Sequence, residues 1–335
     1  MSLLGNFVRF GFIEMDPPAS LQFRRAINPL FSQQAAAREA AFVERVASDA
    51  LDEVVESGHF DIVREYTDRI PAMTTLHVMG LGAERWREYV EFFHNKVGGD
   101  RHDAQYESRH GAGNWVQRSM AEAVAERRAH PGDDGLSWLL QREIGDHPIT
   151  DEEAVESMLL IMIGGLDTTS ALLANTFFHL GENPSDRRLL IERPALMDSA
   201  CEEFLRYFSP VQNLARTVRQ QCELAGRSLE PGARVWLSWA AANLDDREFD
   251  DPETVRLDRF PNRHQAFGLG THRCAGSHFA RMEFACAVSQ VLRRIPDYRV
   301  LTDRAVRYEV TGVNNGWQSM PVEFTPSRRA SEGRS

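Results

Sequence analysis

Apolar residues recur at helical spacing along most of the chain. Between residues 33 and 57, Val43, Val46, Ala47, Ala50, Leu51, Val54 and Val55 share one helical face, and Gly58 supplies a stop. Upstream, Asp16-Pro17-Pro18 predicts a capped start with proline in the first turn. That helix runs through FRRAINPLF until Pro29 breaks or ends it. Residues 84–130 predict two or more helices interrupted near Gly98-Gly99 and Gly111. Thr150-Asp-Glu-Glu153 forms a capping box at the head of the most apolar segment, AVESMLLIMIGGLDTTSALLANTFFHL. A further helix covers roughly 195–207. Period-two alternation is confined to TVRQQCELAGRSLEPGARVWLSWAAAN, with Pro231-Gly232 as a turn between two strands, and to a short hairpin around Asn315-Gly316. The pattern predicts a mainly α protein with small β-sheets.

Composition narrows the function classes. The 335 residues are 42% hydrophobic and 26% charged, which suits a globular protein with a sizeable core. A net charge of −11 argues against nucleic acid as the main partner, because phosphate binding needs a basic face. Cys201, Cys222, Cys274 and Cys286 include no CxxC pair, so neither a zinc ribbon nor a disulfide framework is expected, and a reducing cytoplasm is. The longest apolar run, Met158 to Leu166, is too short to cross a bilayer, and MSLLGNFVRFGFIEMDPP lacks the features of a signal peptide. The last residues, SRRASEGRS, are expected to be disordered.

Three local features carry candidate chemistry. In the central helix, Asp167 and Thr168 follow MLLIMIGGL, and a carboxylate in such a run is costly unless paired or facing a cavity. The Gly164-Gly165 pair and back-bonding threonines suggest a locally opened helix with an acid and an alcohol on a cavity. A surface-facing aspartate beside packing glycines is the alternative. Glu203-Phe-Leu-Arg206 is an i,i+3 pair that on an exposed helix would mean little. The loop AFGLGTHRCAG, 266–276, places Cys274 just before an amphipathic helix, where the helix dipole favours a thiolate. Gly268, Gly270 and Gly276 would let the backbone approach a flat or bulky ligand closely. A nucleophilic Cys274 with His272 as base, or a plain buried cysteine, would also account for the loop.

Together and in this order the three features resemble those of cytochrome P450, the haem–thiolate monooxygenases. FGLGTHRCAG is similar to the family's haem-ligand loop, GGLDTT at 164–169 to its oxygen-binding helix, and EFLR to its Glu-x-x-Arg signature. VWLSWAAANLDDREFDDPETVRLDRFPN resembles its meander, and GWQSMPVEFTP its C-terminal hairpin. The likeness runs from about Met15 to Pro326 and is nearest the soluble bacterial members, which carry no membrane anchor.

The resemblance implies one domain over 1–327 with a tail at 328–335, haem b as cofactor, and Cys274 as the axial ligand of the iron. Phe267, Gly268 and Gly276 would form the cradle around the sulfur, and His272, Arg216 and Arg24 would bind haem propionates. Glu203, Arg206 and Arg259 would form a buried structural network, and Asp167 and Thr168 would relay protons to bound dioxygen. Candidate pocket walls are the first residues, the 84–118 region, Met162, Ile163 and Leu166, Val211 to Leu214, and Val313 to Gln318. Gln212 and Asn213 would supply a polar handle for an oxygenated terpenoid or steroid. Electrons would come from NAD(P)H through a reductase and a ferredoxin-like protein docking near Arg25, Arg273 and Arg281.

Two departures stand out. Ser20 occupies a position where relatives often carry His, which weakens one propionate contact. The chain also begins later than the family pattern, which leaves the strands around Arg234 to Ala240 with an unpaired edge. A peroxide-driven haem enzyme, a haem-binding but poorly catalytic shortened paralogue and a cysteine hydrolase are the competing expectations.

Overall fold

The computed structural model describes residues 11–97, 114–309 and 313–330. The architecture follows from one helix, labelled α7, which spans Asp151–Glu182. The Thr150 hydroxyl accepts from the Glu153 N–H while the Glu153 carboxylate accepts from the Thr150 N–H, so the predicted capping box fixes its start. α7 is apolar nearly all round, so it must be enclosed rather than laid on a surface. Its first half, Met158 to Leu166, packs into one apolar cluster with α1 (Ala19–Ile27), α3 (Arg69–Val78), α4 (Trp86–Val97), α5 (Asn114–Ala129) and α6 (Gly135–Leu140). Its second half, Leu172 to Leu180, packs into another with α2 (Gln33–Val54), α9 (Met197–Phe208) and α11 (Ser277–Arg294). Two further helices, α8 (Pro184–Glu192) and α10 (Trp239–Asn243), complete the α-helices among the described residues. α7 is the one described helix long and apolar enough to span a bilayer, but 67% of its most apolar window is buried in protein.

The sheets are small and antiparallel. β1 (His59–Asp61), β11 (Pro321–Glu323) and β8 (Arg299–Val300) form three strands, with Phe60 opposite Val322 and Val322 opposite Val300. β2 (Glu143–Ile144) pairs β3 (His147–Pro148), β5 (Cys222–Leu224) pairs β6 (Arg227–Leu229), and β9 (Val306–Arg307) pairs β10 (Trp317–Ser319). β4 (Asn213–Thr217) pairs β7 (Arg234–Ser238) in register from Asn213↔Ser238 to Thr217↔Arg234. Among the described residues β4 and β7 pair only with each other, and Trp236 on β7 is 66% exposed.

Several expectations are corrected. Asp16 does not cap α1, which begins after both prolines without a side-chain cap. Its carboxylate accepts from Arg219 at 3.0 Å instead. Pro231-Gly232, by contrast, is a turn between two strands as the sequence predicts, between β6 and β7 and closed by the Ala233 N–H on the Glu230 carbonyl at 3.0 Å. A further turn, Ala225-Gly226 with both residues at positive φ, joins β5 to β6. No two-residue hairpin forms at Asn315-Gly316: β10 pairs with β9, and Asn314 bridges Val211. α7 is α-helical throughout, so the opening expected at Gly164 to Thr168 is not a break, and the Thr168 hydroxyl donates to the Gly164 carbonyl at 2.8 Å. Disorder from residue 328 does not hold for 328–330, since the Ala330 N–H donates to Asp52 and Arg329 pairs with Glu56. Residues 331–335, like the Gly98-Gly99 and Gly111 breaks, lie outside the described residues.

Candidate functional site

A cavity of about 280 Å³ lies between α7 and the loop before α11. Cys274 is on one wall and Thr168 on another. The loop is closed by the Cys274 N–H donating to the Phe267 carbonyl at 2.8 Å, and it turns at Gly268 and Gly270, with φ of +65° and +70°. Those angles suit glycine, and a Cβ on Gly268 would also meet the Trp239 ring at 3.5 Å. The Cys274 sulfur is accessible because it opens into the cavity, although protein surrounds it on its other sides. That enclosure pushes the thiol pKa up. The Gly276 N–H and the cations of Arg24, Arg273 and Arg281 act the other way, toward thiolate. Phe267 lines the wall beside the sulfur, and the Arg281 guanidinium stands 4.6 Å above its ring.

Positive charge gathers on one side. Arg24, Arg216 and His272 all line the cavity, and among the described residues neither arginine forms an ion pair. The His272 pKa is lowered by burial and then by Arg216 and Arg24, so the imidazole registers both cations. The donor set is one sulfur held by a backbone N–H and two unmatched guanidinia beyond it. It suits a flat metal complex with a thiolate ligand and carboxylate arms, so the residues present fit haem. Ser20 is fully buried, lies off the cavity wall, and its hydroxyl finds no partner among the described residues.

The pocket predictions divide by periodicity. On α7 the wall is Leu160, Ile161, Gly164, Gly165, Thr168, Thr169 and Leu172. Met162 and Leu166 face the helical core instead, and Ile163 packs against the same cluster. Val211 and Leu214 line the cavity, whereas Gln212 and Asn213 do not. The Gln212 amide donates to the carbonyls of Phe208 and Ser209, at 3.0 and 2.6 Å, so it ends α9 and offers no handle to a ligand. Phe12 and Ile13 line the cavity. No described residue of 84–118 or 313–318 does, and residues 1–10 and 98–113 lie outside the described residues.

Asp167 is corrected most. It is 1% exposed and off the cavity wall, on a side of α7 where its charge acts on the buried Tyr308 hydroxyl. The carboxyl that does reach the cavity is Glu283 of α11, which the sequence reading missed. Its signal is its spacing, four residues after the buried Phe279 and four before the buried Ala287, on an apolar helical stripe.

The Glu203 network lies apart from the cavity. Arg206 Nε and Nη2 donate to Glu203 Oε2 and Oε1, both at 2.8 Å. Arg259 Nε reaches both oxygens at 3.0–3.1 Å, and the Arg256 N–H adds 2.8 Å. Burial opposes ionisation of Glu203, but these donors outweigh it and hold its pKa low. The spare N–H groups of both arginines end on the carbonyls of Asn243, Pro252, Thr254 and Asp250. A pair that looked trivial on a helix surface is thus a fully hydrogen-bonded buried ion cluster.

A profile of the cytochrome P450 family matches residues 190–303, the stretch holding this cluster and the Cys274 loop. Steroid C26-monooxygenase of Mycobacterium tuberculosis is 34% identical over 323 residues, covering 94% of this chain and 86% of that protein. The chain belongs to the cytochrome P450 family. P450s bind haem b through a thiolate, and the chain is a monooxygenase by that membership. The crystal structure of CYP109E1 from Bacillus megaterium in complex with testosterone superposes with a TM-score of 0.88 at 29% identity, covering 97% of this P450 and 85% of that chain. A myxobacterial P450, CYP267B1, in complex with myristic acid gives a TM-score of 0.87 at 28% identity, covering 94% and 78%.

Proposed function

We propose that this P450 inserts one oxygen atom from O2 into an apolar small molecule of steroid or terpenoid size, in the cytoplasm, with electrons from NAD(P)H passed through a reductase and a ferredoxin-like protein. The observation that carries the reading is the cavity itself, with Cys274 on one wall, Thr168 on another, and otherwise mostly apolar sides. When bound, haem supplies oxygen activation, with the thiolate favouring O–O cleavage. The chain's own residues do the rest. Cys274 would hold the iron, with the Gly276 N–H on its sulfur. Arg24, Arg216 and His272 would bind the carboxylate arms. Leu160, Ile161, Val211 and Leu214 exclude water from the substrate's side. Thr168 Oγ1 donates its one proton to the Gly164 carbonyl, so toward the cavity it would accept from and position a proton donor at the helix wall.

Steroid-like shape is supported by the relative named Steroid C26-monooxygenase and by the testosterone complex of CYP109E1. With Gln212 engaged on α9, shape rather than a polar handle would select the ligand. On the partner side, Arg25 and Arg273 are exposed, whereas Arg281 is held bidentate by Glu202.

The test is turnover of a steroid and terpenoid panel with NADPH and generic redox partners. Product formed with these partners faster than with hydrogen peroxide is expected. Peroxide-supported turnover that is faster, or NADPH consumption without product across the panel, would contradict the reading.

A further inference from the structure

Glu202 of α9 precedes Glu203 in the chain but serves a different set of partners. Arg281 of α11 grips its carboxylate with two bonds, Nε to Oε1 at 2.5 Å and Nη2 to Oε2 at 2.8 Å. His264 reaches Oε2 with Nε2 at 2.9 Å, and its side chain is 4% exposed. The second ring nitrogen fixes the state of this imidazole. Nδ1 accepts from the Ala266 N–H at 3.2 Å, so it carries no proton, and Nε2 donates to Glu202. Burial opposes the charge on Glu202, but the bonds from Arg281 and His264 overcome it and hold its pKa at about 2. The cluster is one anion, one cation and one neutral ring. Both donors also touch a single aromatic ring. The Arg281 guanidinium lies 4.6 Å from the Phe267 centroid, and the His264 centroid lies 6.0 Å from it. Phe267 is the residue whose carbonyl takes the Cys274 N–H at 2.8 Å. Arg281 Nη1 donates to the Ser277 carbonyl at 3.1 Å, in the first turn of the helix behind the sulfur. One carboxylate therefore ties both side chains that hold the ring, and Cys274 is among the groups that register the Arg281 charge.

We propose that Glu202 is a positioning residue of the Cys274 loop: through Arg281 and His264 it fixes the Phe267 ring beside the sulfur, and by neutralising Arg281 it sets the reduction potential of the bound iron. The idea rests on the haem reading. In that reading one electron passes from the ferredoxin-like donor to the iron, and no bond or proton moves at Glu202, His264 or Arg281. Reduction adds one negative charge to the site, so a nearby positive charge favours it and a nearby negative charge opposes it. Arg281 and Glu202 together nearly cancel. Arg281 alone would raise the potential, and Glu202 alone would lower it. The carboxylate is 28% exposed, so solvent moderates either effect without removing it. The arrangement also explains why Arg281 is withheld from the surface cations. Its guanidinium is engaged with Glu202, the Ser277 carbonyl and the Phe267 face at once.

The experiment is a redox titration of the haem-loaded parent, Glu202→Gln, Arg281→Gln and the double variant, each checked for folding by circular dichroism. Glu202→Gln leaves the Arg281 cation unmatched and should shift the reduction equilibrium about tenfold toward the reduced state, or ~59 mV upward for one electron. Arg281→Gln leaves the anion unmatched and should shift it by a similar factor the other way. The double variant should return close to the parent. Loosened packing alone would not give opposite signs, so unchanged potentials, or shifts of one sign in both single variants, overturn the proposal. Arg281→Lys keeps the charge and loses the two-bond grip, so its potential should stay near that of the parent; a shift as large as that of Arg281→Gln contradicts the charge argument. Hydrogen exchange of the haem-free chain reads the positioning directly. The Ala266 and Cys274 amides should exchange faster in Glu202→Gln than in the parent, while the Arg256 amide on Glu203 keeps its rate, and equal rates at Ala266 and Cys274 contradict the tether. Failure of the haem reading would show separately, as a parent that lacks a thiolate-type carbon-monoxide band while the exchange difference persists.

Discussion

Glu203 and Glu283 are both buried carboxyls, and they meet the cost of burial in opposite ways. Glu203 stays ionised because Arg206, Arg259 and the Arg256 N–H surround it. Removing one member leaves an uncompensated buried charge, so Arg206→Leu should destabilise the chain by about 3–5 kcal/mol in urea unfolding, with Glu203→Gln similarly harmful. Among the described residues Glu283 has no cation to offset its burial, and burial pushes its pKa up toward the neutral acid. Its folded pKa of about 8 lies above the ordinary value of 4.5. The folded state therefore holds a proton that the unfolded chain gives up between these pH values, and stability falls as pH rises through that window. Glu283→Gln removes this loss, so the variant should gain on the parent by a few kcal/mol between pH 5 and 9, against little difference at pH 4. Identical pH slopes for the two proteins would contradict this. The motif EFLR and the loop FGLGTHRCAG could be read from the chain, because their chemistry is local. The role of Glu283 could not, because the cavity it lines is built with residues of helices more than a hundred positions away in sequence.

For α7, period decides what each residue does. The capping box and the apolar run located the helix, but a helix apolar all round does not show which side is lined and which is packed. The cavity takes Ile161, Gly164, Gly165, Thr168 and Leu172, at the i, i+3, i+4, i+7 spacing of one face. Met162 and Leu166, which looked equally suitable, point into the core. The two glycines differ for the same reason. A Cβ on Gly164 meets nothing within 4 Å, while one on Gly165 would stand 2.6 Å from Thr75 Oγ1. Gly164→Ala should then raise stability by about 0.5–1 kcal/mol through helix propensity and shrink the cavity. Gly165→Ala should lower stability by forcing α3 away, and thermal melts of the two variants that move the same way would count against this geometry. On β4, Leu214 and Arg216 share the cavity face as strand alternation requires. Gln212 lies before the strand, and its capping contacts were not visible in a linear pattern.

At the scale of the molecule, α7 belongs to both apolar clusters, one at each end, so neither can open without it. Urea unfolding of the haem-free chain followed by tryptophan fluorescence and by far-ultraviolet circular dichroism should give coincident transitions; separated midpoints would mean that the two clusters fold as independent units. The cavity sits where these clusters meet the Cys274 loop, and the fold places thiol, cations and helix wall around one space. The central claim is that this space holds haem by the Cys274 thiolate. The reduced, carbon-monoxide-bound difference spectrum tests it most directly, taken on the parent and on Cys274→Ser. A thiolate-type band in the parent that is lost in a variant still folded by circular dichroism is the predicted result. A folded, haem-loaded parent without that band, or a band that persists in Cys274→Ser, would contradict it.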